Sequence, residues 1–151
     1  MSRIKQLLRI MLLMILLSFS LHAVDFGFIA GKNSKPSAST WGISAGSGFF
    51  VPLVKLEFEL LNQKDLGLKD VSVGLKVRKK IGKFAPYAVI GAGAKFETFS
   101  ITFKDYDYFT FIGGGTHFYI MDLFSLRFDL RYQSYSEINN VRLSAGVFVH
   151  I

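Results

Sequence analysis

Residues 141–151 read Val-Arg-Leu-Ser-Ala-Gly-Val-Phe-Val-His-Ile and close the sequence. The odd positions (Val141, Leu143, Ala145, Val147, Val149, Ile151) are all apolar. The even positions (Arg142, Ser144, Gly146, Phe148, His150) are mostly polar or small. Period-2 alternation of this kind is the signature of a β-strand with one apolar and one polar face. The fold turns on what the apolar face meets, a protein core or lipid.

The same pattern recurs back along the chain. Phe124–Ser134 sets Phe124, Leu126, Phe128, Leu130 and Tyr132 against Ser125, Arg127, Asp129, Arg131 and Gln133. Val54–Leu61 alternates Leu56, Phe58 and Leu60 with Lys55, Glu57 and Glu59. Asp70–Arg78 alternates Val71, Val73, Leu75 and Val77 with Ser72, Gly74, Lys76 and Arg78. Val24–Lys32, Trp41–Val51 and Ala85–Phe99 repeat it, the last with Gly91, Gly93, Lys95 and Glu97 opposite Ala88, Ile90 and Ala92. Tyr108–Ile120 has apolar residues on both faces, so its facing stays open, and Gly113-Gly114-Gly115 suggests a bulge. Turn-type residues separate the segments: Asn33–Thr40, Pro52, Asn62–Lys69, Lys79–Lys83, Ile101–Asp107, Met121–Leu123 and Glu137–Asn140. No helical periodicity of useful length follows Val24. Connections after strands two, four and six read as tight and the others as longer, which puts the long loops at one end of an up-and-down antiparallel barrel.

The first 23 residues follow a different grammar. Arg3, Lys5 and Arg9 precede the apolar run Ile10–Leu17, and Ala23 closes a candidate cleavage region before Val24, with Ser20 as the alternative. That run is about half of the roughly 20 residues a spanning helix needs. The expectation is a signal peptide over 1–23 and a single barrel domain over 24–151. Of the chain's 18 basic and 11 acidic residues, three basic ones lie in the leader, so the remainder carries a net charge of +4. The charge is mild and scattered, which argues against a nucleic-acid partner. The chain has no Cys, so disulfides, zinc-thiolate sites and a lipoprotein anchor are excluded.

A soluble lipocalin-like barrel would turn the apolar faces inward, and a membrane barrel turns them outward. The apolar faces of strands three, four, seven and eight carry no charge, as a lipid face requires. Aromatic residues gather near strand ends, Trp41, Phe99, Tyr106, Tyr108, Tyr132 and Tyr135 on one side and Phe49, Phe84, Tyr87, Tyr119 and Phe124 on the other; two interfacial girdles are expected of a membrane barrel. The charged faces have complementary signs on neighbouring strands. A narrow eight-stranded lumen is filled by side chains whose charges must pair, although cross-strand pairs on a soluble sheet would show the same complementarity. The expected lumen network is Lys55, Glu57, Glu59, Lys76, Arg78, Lys95, Glu97, Arg127, Asp129, Arg131 and Arg142.

Three stretches carry a family resemblance. Phe84-Ala-Pro-Tyr-Ala-Val-Ile-Gly-Ala-Gly-Ala94 resembles the "aromatic-x-Pro-Tyr, then alternating Gly" strand of the small OmpA/OmpX/OmpW-like outer-membrane β-barrels. Gly113-Gly-Gly-Thr-His-Phe-Tyr119 with Leu126-Arg-Phe-Asp-Leu-Arg-Tyr132 resembles their penultimate hairpin. Ser144, Gly146, Val149 and Ile151 are similar to the terminal signal read by the barrel-assembly machinery, which usually ends on an aromatic residue rather than Ile. The resemblance implies an all-β, eight-stranded antiparallel transmembrane barrel in a bacterial outer membrane. It would be porin-like in architecture and monomeric. Its partners would be the bilayer, lipopolysaccharide or an equivalent outer-leaflet lipid, and the assembly machinery. A structural or surface-interaction role is implied, with an OmpW-like conduit for small or hydrophobic solutes, or a soluble periplasmic ligand-binding barrel, as alternatives. Barrel enzymes acting on lipid A use His, Ser and an acidic residue. His117 could meet Ser125 or Ser144 across strands, but there is no His-x-Ser motif, and neither His117 nor His150 has a metal-ligand spacing. The sequence therefore predicts no enzyme, cofactor or metal.

Overall fold

The structure, a computed structural model, describes residues 24–49, 51–97 and 106–151. The expected leader up to Ala23, together with Phe99 and Ile101, lies outside the described residues. Eight strands follow one another: β1 (Asp25–Ser34), β2 (Ser37–Phe49), β3 (Val51–Gln63), β4 (Leu68–Arg78), β5 (Phe84–Phe96), β6 (Asp107–Met121), β7 (Phe124–Tyr135) and β8 (Asn139–His150). Each pairs antiparallel with the next, and β8 returns to β1 to close the barrel. The closing register runs from Asp25 opposite His150 to Asn33 opposite Arg142. Reciprocal backbone hydrogen bonds between Val24 and Ile151, 2.8 and 2.9 Å, carry the ladder to the ends of both strands. No sheet edge is left open, which removes unpaired backbone groups that lipid could not satisfy.

The barrel is inside-out. Phe28, Phe58, Val73, Ile90, Phe128, Leu143 and Val147 are exposed, while Glu57, Glu59, Arg127, Asp129 and Arg131 are buried. An apolar interior of the lipocalin type is thereby ruled out. Alternation sets this arrangement directly, since successive side chains point to opposite faces. β6, whose facing the sequence leaves open, turns Phe109, Phe111, His117 and Tyr119 inward and Tyr108, Ile112 and Ile120 outward.

Several boundaries differ from the sequence reading. Asn33–Thr40 is not a loop: β1 runs to Ser34, β2 starts at Ser37, and only Lys35 and Pro36 turn. Asn33 and Thr40 are polar because they face a polar lumen, not because they turn the chain. The Asn140 side-chain oxygen accepts from the Ser34 and Lys35 amides at 2.9 and 3.0 Å and pins that turn. Pro52 lies within β3, between Val51 and Lys55, where the pairing with β2 shifts register. Its missing N–H costs little where the ladder is already interrupted. The Gly113–Gly115 run pairs in continuous register on both sides, and the irregularity in β6 falls at Tyr119/Met121. The glycines serve close packing instead. A Cβ on Gly113 would come 2.8 Å from the Arg131 Cγ, and one on Gly93 would come 2.5 Å from the Phe109 ring. Connections do not alternate short and long. The β5–β6 connection alone is long, and the rest span one to five residues at both ends. The end holding Val24 and Ile151 is called the terminal end below, and the opposite one the loop end.

Candidate functional site: the charged lumen

Arg127 on β7 is fully buried. Its guanidinium donates to Glu57 at 2.9 Å, Glu59 at 2.9 Å and Asp129 at 2.8 Å, and its Nε donates to the Tyr87 hydroxyl at 2.8 Å. Arg131, four residues further along β7 on the same face, reaches Asp129 at 2.8 Å and Glu59 at 2.9 Å and also binds Glu57. Arg142 on β8 donates to Glu59 at 2.6 Å. Lys76 on β4 pairs with Glu57, and the Tyr87 hydroxyl donates to Asp129. Aromatic rings lie over the guanidiniums: the Phe148 ring is 5.1 Å from Arg127 and the Phe111 ring 4.9 Å from Arg131. The result is a plug across the middle of the lumen. Guanidiniums suit it because their planar donor forks satisfy several carboxylate oxygens at once.

A second group sits at the terminal end. Asp25 on β1 accepts from Lys55 at 2.9 Å and from Arg78 at 2.8 Å. Its other oxygen lies 2.6 Å from His150 Nδ1. His150 Nε2 is 2.7 Å from the Ser125 hydroxyl, which also lies 2.9 Å from His117 Nδ1. Asp25, His150 and Ser125 thus form the acid–base–hydroxyl order of a nucleophilic triad. The expected meeting of His117 with Ser125 is observed, whereas Asp25 and His150 are partners that the sequence reading missed. Ser125 is fully buried, however, and its hydroxyl is shared by two imidazoles. Among the described residues no group of three or more His, Cys, Asp or Glu could hold a metal ion.

The loop end is wired more sparsely. Asp70 accepts from Gln63 at 2.7 Å, and Asn140 donates to Gln133 at 2.8 Å. Lys95 lies 4.3 Å over the Tyr135 ring. The buried side-chain amide of Asn33 and the Ser144 hydroxyl make no hydrogen bond among the described residues.

Of the residues expected in the lumen, Glu57, Glu59, Lys76, Arg127, Asp129, Arg131 and Arg142 meet in the plug, and Lys55 and Arg78 meet at Asp25. Lys95 is buried but apart from them. Glu97 is a correction: it is exposed and lies one residue past the end of β5, so the alternation that would turn it inward has stopped. Tyr87 and Tyr119 are also corrections, since both are buried in the lumen rather than set in an interfacial girdle, and Tyr135 packs against the inward ring of Phe109. Trp41, Tyr108, Tyr132, Phe84 and Phe124 do face outward. Asp25, Asp70 and Tyr87 were missed as network members. Strand parity was the available signal: Asp25 alternates with Phe26 and Phe28, and Tyr87 with Ala88 and Ile90. Of the residues read as an assembly signal, Ser144 is buried, Gly146 and Val149 are half-buried, and Ile151 is exposed.

Solved structures place this architecture among known folds. The N-terminal β-barrel domain of Pseudomonas aeruginosa OprF superposes with a TM-score of 0.73 at 18% identity, covering 85% of this chain and 97% of that one. Neisserial surface protein A gives 0.58 at 15% identity, covering 84% and 95%. The outer membrane enzyme PagL gives 0.56 at 13% identity, covering 84% and 99%. No protein-family model and no curated protein matches the sequence. The chain therefore shares the fold of the small eight-stranded outer-membrane barrels.

Proposed function

We propose that this chain is an integral outer-membrane protein, exported by the leader in residues 1–23, whose role is structural or surface-directed and whose lumen is sealed. The observation that carries the reading is the inside-out distribution: a belt of exposed branched and aromatic residues around a lumen filled by paired charges. A midplane Arg on a lipid face costs roughly 2–4 kcal/mol, whereas Arg127, Arg131 and Arg142 are buried in the lumen, each paired with at least one carboxylate. Ser144, Gly146 and Val149 on β8, with Ile151 just after it, would be read by the assembly machinery, and the barrel would act as a monomer. The Asp25–His150–Ser125 chain braces the β7–β8–β1 seam, since the hydroxyl is buried and doubly engaged. A conduit for hydrophobic solutes is disfavoured by the charged interior.

Membrane fractionation with heated and unheated gel samples tests the reading. Carbonate-resistant protein with heat-dependent mobility is expected; extractable protein with unchanged mobility would overturn it. In planar bilayers the sealed lumen predicts no steady conductance, and persistent channels of substantial size would contradict the plug.

A further inference from the structure

The hydrogen-bonded chain at the terminal end has four members, one each from β1, β8, β7 and β6, and its protons can be counted. Asp25 Oδ1 lies 2.6 Å from His150 Nδ1, His150 Nε2 lies 2.7 Å from Ser125 Oγ, and Ser125 Oγ lies 2.9 Å from His117 Nδ1. All four side chains are buried. A carboxylate only accepts, so His150 carries a proton on Nδ1 and donates it to Asp25. In a neutral His150 ring Nε2 is then an acceptor, and the Ser125 hydroxyl donates to it. Ser125 Oγ in turn accepts from His117, whose proton therefore sits on Nδ1. The partners, not the ring atoms themselves, fix both tautomers. All three bonds point toward Asp25.

One added proton reverses the two bonds at Ser125 and breaks none. It enters at His117 Nε2, which makes no hydrogen bond among the described residues. The His117 Nδ1 proton passes to Ser125 Oγ, and the Ser125 proton passes to His150 Nε2. His150 then carries both ring protons, and His117 is neutral again with its proton on Nε2. A second proton, back on His117 Nδ1, would set two donors against Ser125 Oγ and leave the hydroxyl proton without an acceptor. The added charge rests on His150 because that ring touches the Asp25 carboxylate, while His117 touches no carboxylate among the described residues. The surrounding groups are arranged alike. Lys55 on β3 and Arg78 on β4 also bind Asp25. Arg127 on β7 stands opposite His117, and Lys76 and Arg78 on β4 face it. The Tyr87 ring of β5 lies 5.5 Å from the His117 ring, and the Tyr119 ring of β6 lies 4.7 Å from the His150 ring. β2 brings the uncharged Gly46 opposite Asp25. We propose that Asp25, His150, Ser125 and His117 form a one-proton relay, in which Ser125 passes the proton between the two imidazoles and His150 holds it. The relay lets the closing seam take up one charge without losing a hydrogen bond. It uses groups inside the barrel and does not depend on what meets the outer face.

The test uses the refolded full chain in detergent, labelled with nitrogen-15 at histidine and titrated by NMR from about pH 8 to about pH 5, the span in which imidazoles charge. Spectra of His117→Gln and His150→Gln assign the two rings. One shared transition is expected. Across it His150 gains a second ring proton, and His117 stays neutral but moves its proton from Nδ1 to Nε2. In Ser125→Ala the link is cut, so His117 should keep one tautomer while His150 still charges. Three results would overturn the relay: a His117 tautomer that stays fixed while His150 charges in the unaltered protein, both rings neutral throughout, or a His117 switch that survives in Ser125→Ala. The shared transition is read in the unaltered protein, so a Ser125→Ala chain that fails to fold leaves the first two results able to decide.

Discussion

From the terminal end to the middle of the lumen, each buried carboxylate has at least two cationic partners. Asp25 has Lys55 and Arg78; Glu57 has Lys76, Arg127 and Arg131; Glu59 and Asp129 each have three arginines. Near the loops, Asp70 is hydrogen-bonded to the neutral Gln63, Lys95 rests on an aromatic ring, and the Asn33 side chain is unengaged. Both regions are buried and polar, so burial does not distinguish them; connectivity does. A charge shared among several partners cannot be removed without stranding the others in a low-dielectric interior. A charge with one neutral partner leaves little behind. The plug is thus the rigid part of the lumen, and the loop-side half is the part open to change.

The largest expected effect comes from Arg127→Leu, which leaves Glu57, Glu59 and Asp129 each short of a counter-charge. Breaking a buried ion pair from one side costs about 3–5 kcal/mol. Urea unfolding of the barrel in phospholipid vesicles should show that loss, while Lys35→Ala in the exposed β1–β2 turn should leave the midpoint in place. Equal midpoints for the two variants would dissolve the contrast between plug and surface. Tyr87→Phe comes next. The hydroxyl donates to Asp129 and accepts from Arg127, so its removal leaves two charged groups each one hydrogen bond short. Hydrogen bonds to charged groups are worth about 1.5–3 kcal/mol, and the same titration should report a loss of that size. An unchanged midpoint would mean that the guanidinium–carboxylate contacts alone hold the plug.

Much of this arrangement is legible in the sequence, for a definite reason. Lys55–Leu60 of β3 and Leu126–Tyr132 of β7 alternate apolar and charged residues without interruption, so Glu57, Glu59, Arg127, Asp129 and Arg131 share the inner face by parity alone. The partners are less legible. Arg127 and Arg131 reach from β7 across the lumen to β3, and a linear pattern shows strand neighbours, not the strands that face each other across a barrel's diameter. Asn33 reads as a turn residue because its polarity has two causes, a turn or a polar lumen, and local sequence does not separate them. Tyr87 and Tyr119 both stand near strand ends; parity turns Tyr87 inward, whereas the two-sided apolar pattern of β6 leaves Tyr119 unplaced. The Asp25–His150–Ser125 chain joins the two ends of the barrel domain, and only closure of β1 on β8 brings Asp25 beside His150.

Asp70→Asn tests the sparse half directly and should have the smallest effect. The substitution keeps shape and removes a charge that makes no ion pair within contact distance among the described residues, and an amide oxygen can still accept from Gln63. About 1 kcal/mol or less should be lost, the scale of one ordinary hydrogen bond. The comparison with Tyr87→Phe carries the weight, because both changes remove a single polar function from a buried lumen side chain. If the two cost the same, Asp70 must be held at longer range by Lys95 or Arg142, and the loop-side half would be as tightly wired as the plug. If Asp70→Asn is near neutral while Tyr87→Phe is not, the number of partners per charge, rather than depth of burial, sets the cost of altering this lumen.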